Sequence, residues 1–197
     1  MGVGGQRRAA GTRSRMLDVA ERLVQIRGFN GFSYADVAAE LGITKASLHY
    51  HFAGKAELGE ALIERYTARF ADALAAADAR AIDGPAKLGA YADLYATVLR
   101  GQRMCLCGML AAEYPTLPKP MRDAVIRFCD ENEAWLVRVL EQGREEGTLA
   151  LTGSARETAR MIVSGLEGAM LVARPYGDVA RFQAAASRLL ASLMGAS

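Results

Sequence analysis

An all-α protein is predicted for this chain by three observations. Alanine, leucine and arginine dominate the composition while β-branched residues are sparse, which leans helical. Apolar residues recur at spacings of three and four, as on one face of a helix. Glycine and proline break that pattern at intervals, and no convincing strand alternation or internal repeat is present.

The elements follow in order. The first eleven residues read as a flexible basic arm. Helical periodicity starts near Thr12, runs through Leu17, Ala20, Leu23 and Val24, and stops at the Gly28-Phe29-Asn30-Gly31 breaker. Ser33 with Asp36 forms a capping pair for a helix to Leu41, and Gly42 supplies the left-handed residue that ends it. Thr44 caps a short helix to about His51, and the Ala53-Gly54 break precedes a long helix to about Ala81. Helices are then expected over about Pro85–Arg100, Gln102–Glu113 and, beyond Pro115, Pro118 and Pro120, to about Glu146. Ser154 with Glu157 opens a helix to about Arg174, and Asp178 caps a last one ending near Met194. The total is nine helices, divided into an arm (1–11), a three-helix head (12–54) and a larger helical body (55–197).

Of the 197 residues, 51% are hydrophobic and 23% charged, as in an ordinary globular protein. The net charge of +2 is unevenly spread: residues 1–55 hold eight basic and four acidic side chains, the remainder sixteen and eighteen. A basic head on a mildly acidic body suits contact with a polyanion. No apolar run approaches the roughly 20 residues that span a bilayer, and the N-terminus lacks the apolar stretch of a secretory signal. Three cysteines do not make a disulfide framework, so a cytoplasmic protein with reduced thiols and no membrane partner is expected.

A helix-turn-helix needs two helices locked at a fixed angle by apolar residues, here Val37, Ala38, Leu41, Ile43, Leu48 and Phe52. The second helix then leaves Lys45, Ala46, Ser47, His49, Tyr50 and His51 for DNA. Lysine can donate to guanine, serine can pair with several base edges and an alanine methyl can touch thymine. Histidine, tyrosine and Lys55 suit phosphate oxygens, and free amides behind Lys55 would point a helix N-terminus at phosphate. His49 and His51 are the only histidines, and without further ligands no metal site is expected. Arg7 and Arg8 could enter the minor groove or form a solubilising tail.

The run Gly31-Phe32-Ser33-Tyr34-Ala35-Asp36-Val37-Ala38, then Leu41 to Phe52, then Lys55-Ala56-Glu57-Leu58, resembles the TetR/AcrR family of bacterial regulators over about residues 12–62. The resemblance implies that Thr44, Lys45, Ala46 and Ser47 face base edges, and that Ser33, Tyr34, His49, Tyr50, His51 and Lys55 hold phosphates. It departs at His49, where the family usually has an aromatic residue and where phosphate contact and plain packing both stay open, and at the small pair Ala53-Gly54. It also implies a homodimer through the last two helices, on double-stranded DNA with a palindromic operator. A pocket for a mostly apolar small-molecule effector is implied among the middle helices, with candidates Tyr66, Phe70, Tyr91, Tyr95, Met104, Cys107, Met109, Glu113, Phe128, Asn132, Trp135 and Met161. Plain core packing is the alternative for most of these, and Glu113, Asn132 and Tyr95 are the polar anchors to test first.

The stripes Met161, Ile162, Gly165, Leu166, Ala169, Met170 and Phe182, Ala185, Ala186, Leu189, Leu190, Leu193 are too broad for surface helices. Gly165, Gly168 and Ala169 would admit another helix closely. On a helix, Cys105 and Cys107 point about 200° apart. One of them could be a sensor thiol if Arg103 lowered its pKa, against a default of inert burial. The function expected is a repressor released by its ligand, with a ligand-independent activator or architectural protein as the alternative. No catalytic residues, cofactor or enzyme activity are expected, because no phosphate loop, nucleophile motif or acid–base pair is present.

Overall fold

Nine α-helices make up most of the described chain. The computed structural model describes residues 3–194, with side chains from Gly11 onward. The helices are α1 (Val3–Arg27), α2 (Tyr34–Leu41), α3 (Lys45–His51), α4 (Lys55–Arg80), α5 (Gly84–Arg100), α6 (Leu106–Ala112), α7 (Lys119–Glu145), α8 (Ala155–Ala173) and α9 (Val179–Ala191). Single 3₁₀ turns lie at Tyr114–Thr116 and Arg174–Tyr176. Among the described residues there is no strand, only an isolated antiparallel bridge between Leu149 and Met194.

Two boundaries differ from the sequence expectation. Helix α1 begins at Val3, because Gln6 to Ala10 are good helix formers although the apolar stripe starts only at Met16. The side chains of Arg7 and Arg8 lie outside the described residues. Helix α6 begins at Leu106 instead of about Gln102, because the chain turns over Gly101–Cys105 with Gln102 at φ 56°. Cys105 therefore precedes the helix, and the 200° relation to Cys107 does not apply.

The chain forms two compact units that cut across the linear division at residue 54. The first comprises residues 1–67 and 106–125, the second residues 68–105 and 126–197. In the first unit α1 packs on α2 and α6, and Met16, Leu23, Val24, Val37, Leu48, Phe52, Leu58 and Met121 are fully or almost fully buried. In the second unit α8 packs on α9, and both pack on α5. There Leu149 fills the space left by two glycines: a Cβ on Gly84 or Gly143 would lie 2.9 or 2.5 Å from its Cδ1.

The turn between α1 and α2 is held from two sides. Lys55 Nζ donates to the carbonyls of Phe29 and Phe32, 2.5 Å each, and sits 4.7 and 4.3 Å from their ring centroids. The Glu113 carboxylate accepts from Phe29 N at 2.5 Å and Asn30 N at 3.1 Å. Gly28, at φ 85°, leaves room for that carboxylate, since a Cβ there would lie 2.9 Å from Glu113 Oε1. Gly28→Ala should therefore destabilise the protein by about 1–2 kcal/mol from backbone strain alone. A thermal melt unchanged from the parent would contradict this clamp.

Candidate nucleic-acid interface

Helix α2 starts where the sequence places it because Ser33 N and Oγ both donate to Asp36 Oδ2, at 2.7 and 2.6 Å. Those bonds hold the Asp36 carboxyl below its ordinary pKa, with Arg27 a lesser cause. Gly42 at φ 64° ends the helix, its N–H and that of Ile43 returning to carbonyls of the last turn. Thr44 Oγ1 then accepts from Ser47 N at 3.2 Å and starts α3. Leu48 and Phe52 are fully buried and fix the inner side of α3. Thr44, Lys45, Ala46, His49 and Tyr50 are exposed, Tyr50 to 83%, while Ser47 and His51 are half-buried. The polar side of the helix after Gly42 thus faces solvent.

The flanking side chains are more tied than the sequence indicates. Tyr34 Oη donates to Phe52 O at 3.2 Å, and burial, with the Glu57 charge second, pushes its phenol up to about 12. Its ring lies 4.9 Å from that of His49. His49 Nδ1 faces Ala53 O at 3.3 Å. A carbonyl only accepts, so Nδ1 carries the proton, and Nε2 of the neutral ring is left as an acceptor that cannot donate to phosphate. The Tyr50 ring meets His51 edge-on at 5.2 Å. Lys55 needs correction as a free phosphate ligand: two of its N–H groups point inward to Phe29 and Phe32. Burial lowers its pKa, opposed by the charges of Glu113 and Asp36. The amides before α4 are not all free either, because Glu57 Oε2 accepts from Ala53 N at 2.7 Å. Phe32, Ser33, Tyr34, Ala35, Lys45, His49 and Lys55 line an open recess of about 420 Å³ beside α3. Arg13, missed at the sequence level, adds a cation 4.8 Å over the Phe52 ring. Its place one turn before Met16 on α1 is the only hint the sequence offered.

The candidate effector residues divide between the units. Tyr66, Cys107, Met109 and Glu113 belong to the first, and Phe70, Tyr91, Tyr95, Met104, Phe128, Asn132, Trp135 and Met161 to the second. Glu113 is not a pocket anchor, because its carboxylate is spent on the turn after α1. Met161 is 43% exposed on the outer side of α8 and lines no buried centre. Inside the second unit, Phe70 packs against Tyr91, Tyr95 and Phe128 at 5.2–6.3 Å, and Tyr91 stacks on Trp135 at 5.7 Å. Tyr91 Oη meets Tyr95 Oη at 3.2 Å and donates to Asn132 Oδ1 at 3.1 Å; Asn132 Nδ2 returns to Phe128 O. Burial drives both phenols well above their ordinary pKa.

Glu167 on α8 joins this centre, and sequence reasoning passed over it. Its one signal was an acid beside Leu166 inside an apolar stripe. Burial raises its pKa, partly offset by a hydrogen bond with Cys105. An acidic neighbour does not favour a thiolate at Cys105, and part of the Arg103 guanidinium lies close to Gly101. Cys129 is pushed up by burial and then by Glu167, Asp130 and Glu133. These surroundings give no support to a sensor thiol at Cys105. Among the described residues no three His, Cys, Asp or Glu side chains gather as metal ligands would, and no helix is long and apolar enough to cross a membrane.

Two short helices joined at a left-handed glycine, the second locked by Leu48 and Phe52 with its polar side outward, define a helix-turn-helix DNA-binding regulator. Two family models match the chain: "Bacterial regulatory proteins, tetR family" over residues 16–62, and "Tetracyclin repressor-like, C-terminal domain" over residues 84–189. The chain belongs to the TetR family of transcriptional regulators. A TetR-family regulator from Agrobacterium tumefaciens is 32% identical and superposes with a TM-score of 0.91, covering 95% of this chain and 100% of that one. The transcriptional repressor BepR of Brucella suis is 28% identical over 177 residues, 86% of this chain and 83% of that protein. The repressor NemR of Escherichia coli K12 is 28% identical over 173 residues, 83% of this chain and 84% of that protein. The chain is accordingly a regulator and not an enzyme.

Glu167 yields a signed pH dependence. A carboxyl whose folded pKa lies above its unfolded value stabilises the fold below the unfolded pKa, and that contribution is lost as pH rises through the folded one. Glu167→Gln should raise the melting temperature relative to the parent at pH 8, with the gap closing at pH 4. An equal gap at both pH values would show that the carboxyl does not carry a proton in the fold.

Proposed function

We propose that the chain is a cytoplasmic, homodimeric repressor released from a palindromic operator by a small-molecule effector. The observation that carries this is the outward polar side of α3, with Lys45, Ala46, His49 and Tyr50 exposed beside the recess at Ser33 and Tyr34. Thr44, Lys45, Ala46 and Ser47 read base edges, and Tyr50 and His51 set the register on phosphate, while Ser33, Tyr34 and His49, whose protons already go to Asp36, Phe52 O and Ala53 O, shape the wall of the recess beside them. Lys55 acts on DNA chiefly by holding the turn that seats α2. Relatives named as repressors support the direction of control.

One short recognition helix makes few base contacts, so two copies must sit roughly 34–36 Å apart on DNA. The outer side of α8 supports a second copy as partner. Met161, Gly168, Leu171 and Val172 share it, with Leu171 60% and Val172 58% exposed, while Ile162, Leu166 and Met170 on the other side are fully buried. Gly168 has nothing within 4 Å of where its Cβ would stand, unlike Gly165, whose Cβ would lie 2.7 Å from Leu189 Cδ2 of α9. Gly165 thus serves packing within the chain, and Gly168 is the residue a partner helix can approach.

The effector site proposed is the aromatic centre of Phe70, Tyr91, Tyr95, Phe128 and Trp135, with Asn132 and the two phenols as polar anchors. The rings pack on one another, so a bound effector must part them. Occupied and empty forms then differ in packing, as a differential affinity requires. Helix α4, which runs unbroken from Lys55 to Arg80, is the lever between head and effector site.

Gel shifts on the DNA flanking the gene test the reading. Lys45→Ala should relax base preference at one position by about 1–3 kcal/mol without lowering the melting temperature. Lys55→Met should instead lose about 2 kcal/mol of fold stability together with DNA binding on all sequences. If both variants bind and melt as the parent does, the roles assigned here are wrong. Gly168→Glu should give monomers by size-exclusion chromatography with light scattering, and an unchanged dimer would put the interface elsewhere.

A further inference from the structure

A second cleft in the regulatory unit has no part in the function proposed above. Leu99 and Arg100 at the end of α5, Gln102 in the following turn, and Arg174, Pro175 and Tyr176 at the α8–α9 corner line a space of about 530 Å³. That volume falls in the range of small-molecule sites, about 300–1,000 Å³. The two wall segments, residues 99–104 and 174–181, carry four arginines (Arg100, Arg103, Arg174, Arg181) and one acid, Asp178. The Asp178 carboxylate is turned to the start of α9, where it accepts from Ala180 N at 2.9 Å. Positive charge is thus concentrated at one corner of a region that is mildly acidic as a whole.

The walls also offer an apolar platform. Tyr176 is 64% exposed, and the Arg181 guanidinium lies 3.9 Å over its ring, which fixes one face of the ring. Leu99 and Pro175 extend the apolar surface. Arg100 is steadied from outside by Thr97 Oγ1 at 3.5 Å. Gln102 is held at φ 56°, a conformation that non-glycine residues rarely adopt and that turns the chain sharply at the cleft's edge. The start of α9 adds a favourable partial charge for an anion, while the end of α5 opposes it; the arginines decide the balance.

We infer that this cleft binds a small organic anion, its carboxylate or phosphate group gripped by Arg100 and Arg174 and its apolar body laid against Tyr176, Leu99 and Pro175. Guanidinium groups match both oxyanions with paired, parallel hydrogen bonds, which a neutral molecule of the same shape cannot return.

Titration calorimetry on the full chain with benzoate, phenyl phosphate and neutral benzamide tests the inference. At least one of the two anions should bind saturably with a Kd of about 1 mM or tighter, and benzamide at least about tenfold more weakly. Arg100→Ala and Arg174→Gln should each weaken the anion by about tenfold or more, with DNA affinity and melting temperature retained. Arg174→Lys keeps the charge but loses the paired geometry, and should fall between. Benzamide binding as well as the anions, arginine variants binding as the parent does, or no saturable heat with either anion would each overturn it. Gel shifts on the same samples separate this result from the DNA-binding reading, which stands or falls on α3.

Discussion

The head is organised around one ammonium group. Lys55 reaches back from the first turn of α4 to take the carbonyls of Phe29 and Phe32, with both rings beneath it and Glu113 on the other side of the same turn. A half-buried cation costs free energy unless its protons are taken up and a counter-charge is near, and here both conditions are met. The return is a fixed path for residues 28–32, the segment that sets where α2 begins and thus where α3 lies. The recognition surface is therefore held by charge at its back, while Leu48 and Phe52 hold it by packing from within. Two kinds of force fix two ends of the same short motif.

The regulatory unit solves a different problem. It buries two hydroxyls and an amide among aromatic rings and satisfies them largely through one another, with the half-buried Glu167 carboxyl bonded to Cys105. Such a centre costs more to build than an aliphatic core, and small changes of packing or protonation alter it sharply. That sensitivity is what the effector proposed for this centre would exploit. The surfaces of the unit are equally specialised. The outer side of α8 is apolar with an open glycine, whereas the α8–α9 corner is cationic with an exposed tyrosine.

Much of the local structure was legible because it rests on contacts between residues three to five apart. The Ser33–Asp36 and Ser154–Glu157 caps, the left-handed turn at Gly42 and the Thr44 cap all arise within one turn of chain. The TetR/AcrR register was readable for the same reason: its residues lie within a short stretch whose spacing is itself the motif. The outward face of α3 follows from Leu48 and Phe52, which lock its inner side. The start of α6 was misplaced because apolar spacing continues through Met104 and Cys105, although the backbone turns there; their burial comes from packing, which periodicity cannot distinguish from helix.

What the sequence alone determined, then, is the order of helices, the motif that reads DNA and the family, since each depends on near neighbours or on register. What only the tertiary structure decided is the work of long side chains whose partners are distant in sequence. Lys55 meets partners 23 and 26 residues away, and Glu113 partners 83 and 84 away. Glu167 finds Cys105, and α8 divides into a buried side and an open one. A charged group's role is set by what desolvates and neutralises it, and in this chain those groups come together only when helices distant in sequence pack side by side.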